Sequence, residues 1–258
     1  MLRTLLIVLA AVVLPPTALA GHPLVTDDTG TQGARRTQLE LTGEVGQDRP
    51  DPGAVDVGAA GGAAVAFGLA DAVDLVLGLP VGWSRSRVAG ELVGEAAGAA
   101  DAALELKWRF FERAGFSAAV KPGLSLPTGS AREGLGTGRV GYGVTLVASQ
   151  ALGPVTLHVN GGWSHAEHAL PEVHAASRAD GWHASVAAAA AVAPRLQLVA
   201  NLGVDSPAER GAAAWPAFAL VGAVYSLSDR VDLDAGVRAA LNAADTDLVV
   251  LAGAAYRF

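Results

Sequence analysis

The sequence predicts an all-β protein, a closed antiparallel up-and-down transmembrane β-barrel of about 12 strands. Three observations lead to this prediction. Apolar and polar residues alternate over runs of roughly 10 to 13 residues, which exceed the common strand length and match the tilted strands that cross a bilayer. An export signal precedes these runs, and an alternating stretch with an aromatic last residue closes the chain.

The closing stretch, Leu248–Phe258, has the period of a strand. Every second residue counted back from Phe258 is apolar, whereas the other set carries Arg257. Successive side chains of a strand point to opposite faces. A strand with lipid on one face and a lumen on the other fits this pattern, with Tyr256 and Phe258 at the membrane boundary. The last edge strand of a soluble sandwich fits it equally well, so other features have to decide.

The first residues have the organisation of a secretory signal peptide. Arg3 gives a positive start, Leu5–Leu14 is an apolar run too short to span a bilayer, and Ala18-Leu19-Ala20 is a cleavage site with small residues at its first and last positions. We therefore expect residues 1–20 to be removed near Ala20 and the mature chain to be exported.

Composition supports this organisation and narrows the function. Cysteine is absent, so disulfide and thiol chemistry are excluded. A formal net charge of −7 argues against nucleic acid as a partner. Residues 21–37 are polar and turn-rich and predict an extended periplasmic segment, whereas residues 38–258 carry the alternating runs that we assign to the barrel.

The predicted strands follow one another along the chain. They are Gln38–Gly46, Val55–Leu69, Val73–Trp83, Ala102–Phe110, Gly115–Leu126, Arg139–Ala151, Val155–Ser164, Trp182–Val192, Arg195–Val204, a stretch near Trp215–Leu227, Arg230–Leu241 and the closing strand. Between the third and fourth strands, Arg85–Asp101 is rich in Gly, Ala and Glu and predicts a loose segment. The Ala187–Ala191 run prefers helix by propensity, but its flanks fit the series and predict a strand.

Each strand is justified by one apolar parity. In the first five strands the apolar set includes Leu39, Leu41 and Val45, then Val57, Val65 and Phe67, then Leu75, Leu77 and Leu79, then Leu104, Leu106, Trp108 and Phe110, then Phe116, Val120 and Leu124. In the later strands it includes Val140, Tyr142, Val144 and Leu146, then Val155, Leu157, Val159 and Trp163, then Leu196, Leu198 and Leu202, then Val231, Leu233 and Val237. The opposite parity is mostly polar or small, with a few apolar residues such as Val249 and Leu251.

The connections and the polar parity favour a barrel over a soluble sandwich. Short turns built on Asp, Gly or Pro alternate with longer loops, and an even strand count places both termini on one side, as in outer-membrane barrels. The polar parity carries isolated charges among Gly, Ala, Ser and Thr. A sandwich face in contact with water would be more heavily charged.

Several stretches resemble one family of bacterial outer-membrane barrels, which is linked to the meta-pathway of phenol degradation and regarded as transporters. The resemblance covers His22–Gly33, Gln38–Glu44, Gly68–Pro80, Leu104–Phe111 and Lys121–Gly129. It implies a barrel in the outer membrane of a Gram-negative bacterium that passes small hydrophobic or aromatic solutes, and it brings no catalytic residues. This chain departs from the family by being unusually rich in Ala and Gly and poor in aromatic residues.

The polar parity supplies the candidate lumen residues. They are Glu40, Glu44, Glu105, Lys107, Arg109, Lys121, His158, Asn160, His183, Asp232, Asp234 and Arg238. Neighbouring strands would gather the acids of the first and eleventh strands into an acidic wall, and the bases of the fourth and fifth into a basic wall. Opposed walls would create a field across a narrow pore. The alternative is mutual ion pairing that plugs the interior and stabilises the barrel.

Histidines raise two further possibilities. His165, His168 and His174 share one long loop with two glutamates, but their spacing matches no defined metal site, and a solvated loop is favoured. His183 has Ser185 nearby, but a hydrolase also needs a group that orients the base, and Asn160 is the only obvious candidate. A hydrolase for lipid substrates would also place this site on the outer face, whereas these residues face inward. We therefore predict no enzymatic activity, no metal and no cofactor.

The sequence thus predicts a channel or transporter for small hydrophobic or aromatic solutes. The alternatives are a non-transporting structural barrel with a plugged interior and, less favoured, a membrane-embedded hydrolase. The expected partners are outer-membrane lipid, the solute, and the barrel-assembly machinery, which would engage the C-terminal strand ending at Phe258.

Overall fold

The computed structural model describes residues 22–258 and shows a closed antiparallel β-barrel. The predicted signal peptide, residues 1–20, lies outside the described residues. The strands are β1 Thr37–Asp48, β2 Ala54–Ala70, β3 Val73–Val88, β4 Glu91–Ala99, β5 Ala102–Arg113, β6 Phe116–Leu126, β7 Gly141–Leu152, β8 Val155–His165, β9 Asp180–Ala193, β10 Leu196–Asp205, β11 Ala217–Ser226, β12 Val231–Ala240 and β13 Leu248–Arg257.

Two of these strands act as a single strand of the wall. β4 and β5 are separated only by Ala100 and Asp101, and both pair with β3. β5 pairs with the first part of β3, Val73–Gly78, and β4 pairs with the last part, Val81–Val88. Every other strand pairs with its neighbours in sequence, and β1 closes the ring on β13 from Gln38↔Arg257 to Gln47↔Leu248. The wall therefore has 12 strands, which confirms the predicted up-and-down barrel.

The prediction that Arg85–Asp101 form a loose segment is wrong. Arg85–Val88 continue β3, and Glu91–Ala99 form β4, so β2, β3 and β4 extend beyond the neighbouring wall. Ala89 and Gly90 turn the chain with φ of 51° and 85°, the conformation of a two-residue hairpin loop. The stretch contains few large apolar residues, so its alternation is too weak to recognise as a strand.

The alanine-rich strand is confirmed. β9 spans Asp180–Ala193 and pairs with β8 and β10 along its length. Alanine prefers helix, but hydrogen bonds to two flanking strands outweigh a propensity of a few tenths of a kcal/mol per residue.

Helical structure is confined to two loops of the described chain. A 3-10 turn spans Ala131–Glu133, and a short helix, α1, spans Pro171–Ala176 within the loop predicted after the seventh strand. Across residues 22–258 there is no helix with the length and apolar character needed to cross a membrane.

The outer surface of the wall is apolar. Leu41, Leu79, Leu146, Val159 and Val250 are each more than half exposed, in alternation with inward-facing residues. Exposed aromatic side chains lie near both ends of the wall: Tyr142 and Trp182 near one end, and Phe111, Phe116, Tyr225, Tyr256 and Phe258 near the other. An apolar band between two aromatic girdles is the surface of a barrel that sits in lipid.

The N-terminal segment, defined here as residues 22–36, lies inside the barrel. This corrects the expectation that residues 21–37 extend into the periplasm. Pro23, Thr26, Asp27 and Thr29 are buried by the inner wall. Most N–H groups of this irregular segment have no partner within it, so they need partners elsewhere, and the polar inner wall supplies them.

Candidate functional site

The N-terminal segment follows the inner wall around the lumen. Read from Arg35 back to His22, its polar contacts are made with Gly68 of β2, Asp74 of β3, Ser117 of β6, Ser149 of β7, Asn160 of β8, Asn201 of β10, Asp234 of β12 and Glu40 of β1. The contacts occur in the order in which these strands follow one another around the barrel. The segment therefore forms an almost complete ring inside the wall.

Asp27 is the most strongly held residue of the segment. Lys107 Nζ donates to Oδ1 and Lys121 Nζ donates to Oδ2, each at 2.9 Å. The Asp27 N–H donates to Asn160 Oδ1 at 2.6 Å, and its carbonyl accepts from Asn160 Nδ2 at 2.9 Å. Asp27 is fully buried, so these charge-assisted bonds are screened little by solvent.

The neighbouring carboxylate, Asp28, adds to the charge on the segment. Its Oδ1 lies 3.6 Å from Lys107 Nζ and accepts from the Gly30 N–H at 2.5 Å. Desolvation raises the pKa of the Asp28 carboxyl. The charge of Lys107 and the hydrogen bond from the Gly30 N–H together lower it by more, so the net pKa is below the ordinary value. Asp28 therefore carries a negative charge at neutral pH.

A second asparagine holds the backbone of the segment. Asn201 Oδ1 accepts from the N–H groups of Val25 and Thr26 at 2.8 and 3.0 Å, and its Nδ2 donates to Thr26 Oγ1 at 2.7 Å. Asn160 and Asn201 thus satisfy three consecutive backbone N–H groups of the segment, which a polar wall without amides would leave unpaired.

A small apolar cluster anchors the first residues. Phe218, Leu220 and Leu251 point inward, are almost fully buried, and pack against Leu24 and Val25. These inward apolar residues were not predicted, because the sequence assigned the interior to polar side chains. Leu24-Val25, an apolar pair in a polar leader, is the signal that could have indicated an interior partner.

The wall also makes room for the segment at several glycines, of which Gly222 is one. A Cβ on Gly222 would lie 2.8 Å from Pro23 Cγ, in addition to 2.7 Å from the Ala235 carbonyl oxygen. Pro23 therefore approaches the backbone of β11 more closely than any larger residue at position 222 would allow.

The predicted lumen residues all lie on the parity opposite to the lipid-facing side chains. Six are buried, namely Glu40, Glu105, Lys107, Lys121, His158 and Asn160. Six are half-buried, namely Glu44, Arg109, His183, Asp232, Asp234 and Arg238. The structure brings Lys107, Lys121, Glu105 and Asn160 together around Asp27, whereas the others lie elsewhere on the inner wall.

Within residues 22–258 local contacts break up the predicted opposed charge walls, although Glu40 and Glu44 of the predicted acidic wall form no ion pair there. On the acidic side, Asp234 pairs with His22 and Asp232 pairs with Arg257. On the basic side, Lys107 and Lys121 bind Asp27. The ion-pairing alternative describes this interior better than a field across an open pore.

Ser185 belongs to a hydrogen-bonded triad with a different orienting residue from the one expected. His183 Nε2 lies 2.8 Å from Ser185 Oγ, and His183 Nδ1 lies 2.8 Å from Asp205 Oδ1. Asn160 is instead occupied by Asp27. Ser185 faces the lumen and is buried, whereas a hydrolase acting on membrane lipid would present its nucleophile to the outer surface.

The loop histidines have carboxylate or histidine neighbours but form no metal site. His165 Nδ1 lies 3.1 Å from Asp180 Oδ1. Burial and then the neighbouring His174 lower the pKa of His168, so it is neutral at pH 7. Within residues 22–258 no group of three potential metal ligands is found.

The interior is not completely filled. A cavity of about 270 Å³ opens on the side of the short turns and is bordered by Asp28, Thr29, Phe116, Ser117 and His158. The N-terminal segment forms one of its walls. Displacement of the segment would join this cavity to the rest of the lumen.

The closed wall and its apolar outer surface are those of a transmembrane β-barrel of the outer-membrane type. The chain belongs to the family described as "Putative MetA-pathway of phenol degradation", whose profile matches residues 26–258. This membership confirms the resemblance found in the sequence.

Solved structures show the same fold. The COG4313 outer membrane channel from Pseudomonas putida F1 aligns with a TM-score of 0.73 at 16% identity, covering 90% of this chain and 98% of that chain. The KdgM porin aligns with a TM-score of 0.56 at 11% identity, covering 86% and 99%. The NanC porin aligns with a TM-score of 0.55 at 8% identity, covering 84% and 98%. Among curated proteins, no match was found.

Proposed function

We propose that this protein is an outer-membrane channel for small hydrophobic or aromatic solutes, and that its N-terminal segment controls passage. One observation carries the proposal. The material that fills the lumen is a separate stretch of chain, held to the wall by amide hydrogen bonds and ion pairs. The hydrogen bonds among these contacts exchange with water or solute at little net cost, unlike a packed core, whereas the ion pairs need a replacement charge.

The comparisons support the coarse part of the proposal. The similar structures named above are a channel and two porins, and the family description refers to phenol degradation. A 12-stranded barrel has an interior only somewhat wider than the side-chain-filled interior of an eight-stranded one. A single extended segment is therefore enough to close it, and small solutes are the class that its removal would admit.

Recordings in planar bilayers test this proposal. Asn201→Ala removes the acceptor of two segment N–H groups and should increase the fraction of time that the channel is open. Asn242→Ala is the matched control, because Asn242 lies in an exposed loop and bonds the Trp215 carbonyl away from the segment. We expect more frequent openings for Asn201→Ala than for wild type or Asn242→Ala, with phenol or benzyl alcohol as candidate blockers.

The filled lumen also favours a second candidate, a structural barrel that transports nothing. The same recordings separate the two functions. Bilayers that stay sealed at every voltage, for wild type and for Asn201→Ala alike, would support the structural barrel and defeat the channel. A heat-modifiable gel shift should first establish that each variant is folded.

We also propose the route by which the barrel reaches the membrane. Cleavage near Ala20 would release the mature chain from its signal peptide, and the C-terminal strand ending at Phe258 would engage the assembly machinery. In support, the Phe258 side chain is 67% exposed, more than any other large apolar side chain of the described residues. N-terminal sequencing of protein from outer membranes tests the cleavage, and Phe258→Ser should lower the amount assembled.

A further inference from the structure

The wall holds a carboxylate-binding site that the chain's own Asp27 occupies. Lys107 and Lys121 are 5% and 2% exposed, and each places its ammonium group 2.9 Å from one oxygen of the Asp27 carboxylate. The two lysines come from neighbouring strands, β5 and β6, so the sheet fixes their separation. Buried ammonium groups are stable only when an opposite charge accompanies them.

The charge balance shows what this site requires when the segment moves. Asp27 and Asp28 both belong to the segment, whereas Glu105, 3.4 Å from Lys121, belongs to the wall. Among the described residues, no other wall carboxylate forms an ion pair with either lysine. Within ion-pair distance, withdrawal of the segment therefore leaves two buried ammonium groups facing one wall carboxylate, an excess of a single positive charge at the site, with the buried Asp74 further away on β3.

We propose that Lys107 and Lys121 bind the carboxylate of a small organic monoacid in place of Asp27, so that the acid both displaces the segment and passes the channel. This inference rests on the channel function proposed above. A singly charged, planar carboxylate repeats the two contacts that Asp27 makes and restores the charge balance. A neutral solute of the same shape does neither.

The remainder of the site accommodates the body of the acid. Asn160, which now bonds the N–H and the carbonyl of Asp27, becomes free to bond another polar group. The cavity beside Asp28 and Phe116 offers space next to the lysines once the segment is displaced. Exchange of one carboxylate for another avoids an intermediate with unpaired buried charges, which is why the acid opens the channel more readily than spontaneous withdrawal.

A cysteine pair reports on the position of the segment. The chain has no cysteine, and Thr29 Oγ1 lies 2.5 Å from Ser117 Oγ, so Thr29→Cys with Ser117→Cys forms a disulfide only while the segment is seated. The full-length double variant in detergent, kept reduced and then oxidised, is assayed for the rate of disulfide formation. The probes are sodium benzoate and its neutral analogue benzamide at pH 7.

Benzoate should slow disulfide formation by about tenfold at saturation, whereas benzamide should leave the rate unchanged. A further variant adds Lys121→Met with Glu105→Gln, which removes one opposite-charge pair, nearly keeps the side-chain volumes and leaves Lys107 with Asp27. In that variant benzoate should lose its effect. The heat-modifiable gel shift confirms that the barrel is folded.

Liposome swelling with the same two solutes separates this inference from the channel itself. Equal slowing by benzoate and benzamide, or no slowing by either, overturns the carboxylate site even if both solutes enter the liposomes. Slowing by benzoate alone, with no entry of either solute, upholds the site and defeats the channel. Slowing by benzoate that persists without Lys121 and Glu105 also overturns the assignment.

Discussion

At the scale of single residues, the interior depends on Asp27 and its two lysines. A buried ion pair adds little stability compared with apolar packing, but removal of one partner is costly because the other charge stays buried. The sequence placed Lys107 and Lys121 in the lumen, yet it gave no indication that their partner was Asp27. On the predicted inner wall of these two strands Glu105 is one carboxylate for the two lysines, and that imbalance of charge was the available clue.

Asp27→Asn tests this pairing. The change removes the carboxylate that the two buried ammonium groups share and leaves them Asp28 at 3.6 Å and Glu105 at 3.4 Å, so the folded barrel should lose about 3 kcal/mol of stability and the segment should leave the lumen more often. Asp51→Asn, in an exposed loop, is the control and should change neither property. Unfolding in denaturant and bilayer conductance measure the two effects. Unchanged stability and conductance for Asp27→Asn would contradict the role given to Asp27.

At the scale of elements, alternation identified the strands wherever large apolar residues marked one face. It failed for Glu91–Ala99, where Ala and Gly occupy both faces, and it could not place the N-terminal segment. An irregular segment carries no periodicity, so its position is set by which wall groups need partners. Such long-range contacts, like that between Asp27 and Asn160, leave no local pattern.

A charge on the lipid-facing parity tests the position of the wall strands in the bilayer. Leu146 in the middle of β7 and Leu241 just beyond the end of β12 are both 60% exposed. Leu146→Arg should cost about 2–4 kcal/mol of unfolding free energy in lipid vesicles, and Leu241→Arg about 0–1 kcal/mol, because the penalty depends on depth. Equal costs would mean that β7 does not cross the hydrocarbon core.

At the scale of the whole molecule, the barrel combines a wall fixed by lipid with a filling held by polar contacts. The wall closes on itself through β1 and β13, and among the described strands β4, which pairs with β3 alone, is the one with an unpaired edge. The filling is a segment joined to the wall at only one end within residues 22–258. This division allows the lumen to open while the barrel stays folded.

The most direct test of this account is the conductance of the Thr29→Cys/Ser117→Cys variant, oxidised and then reduced in the same bilayer. The disulfide fixes the segment against β6. We predict that current is lost on oxidation and returns on addition of reductant, whereas the single variant Ser117→Cys conducts in both states. Equal current from the locked and reduced protein would contradict the claim that the N-terminal segment closes the channel.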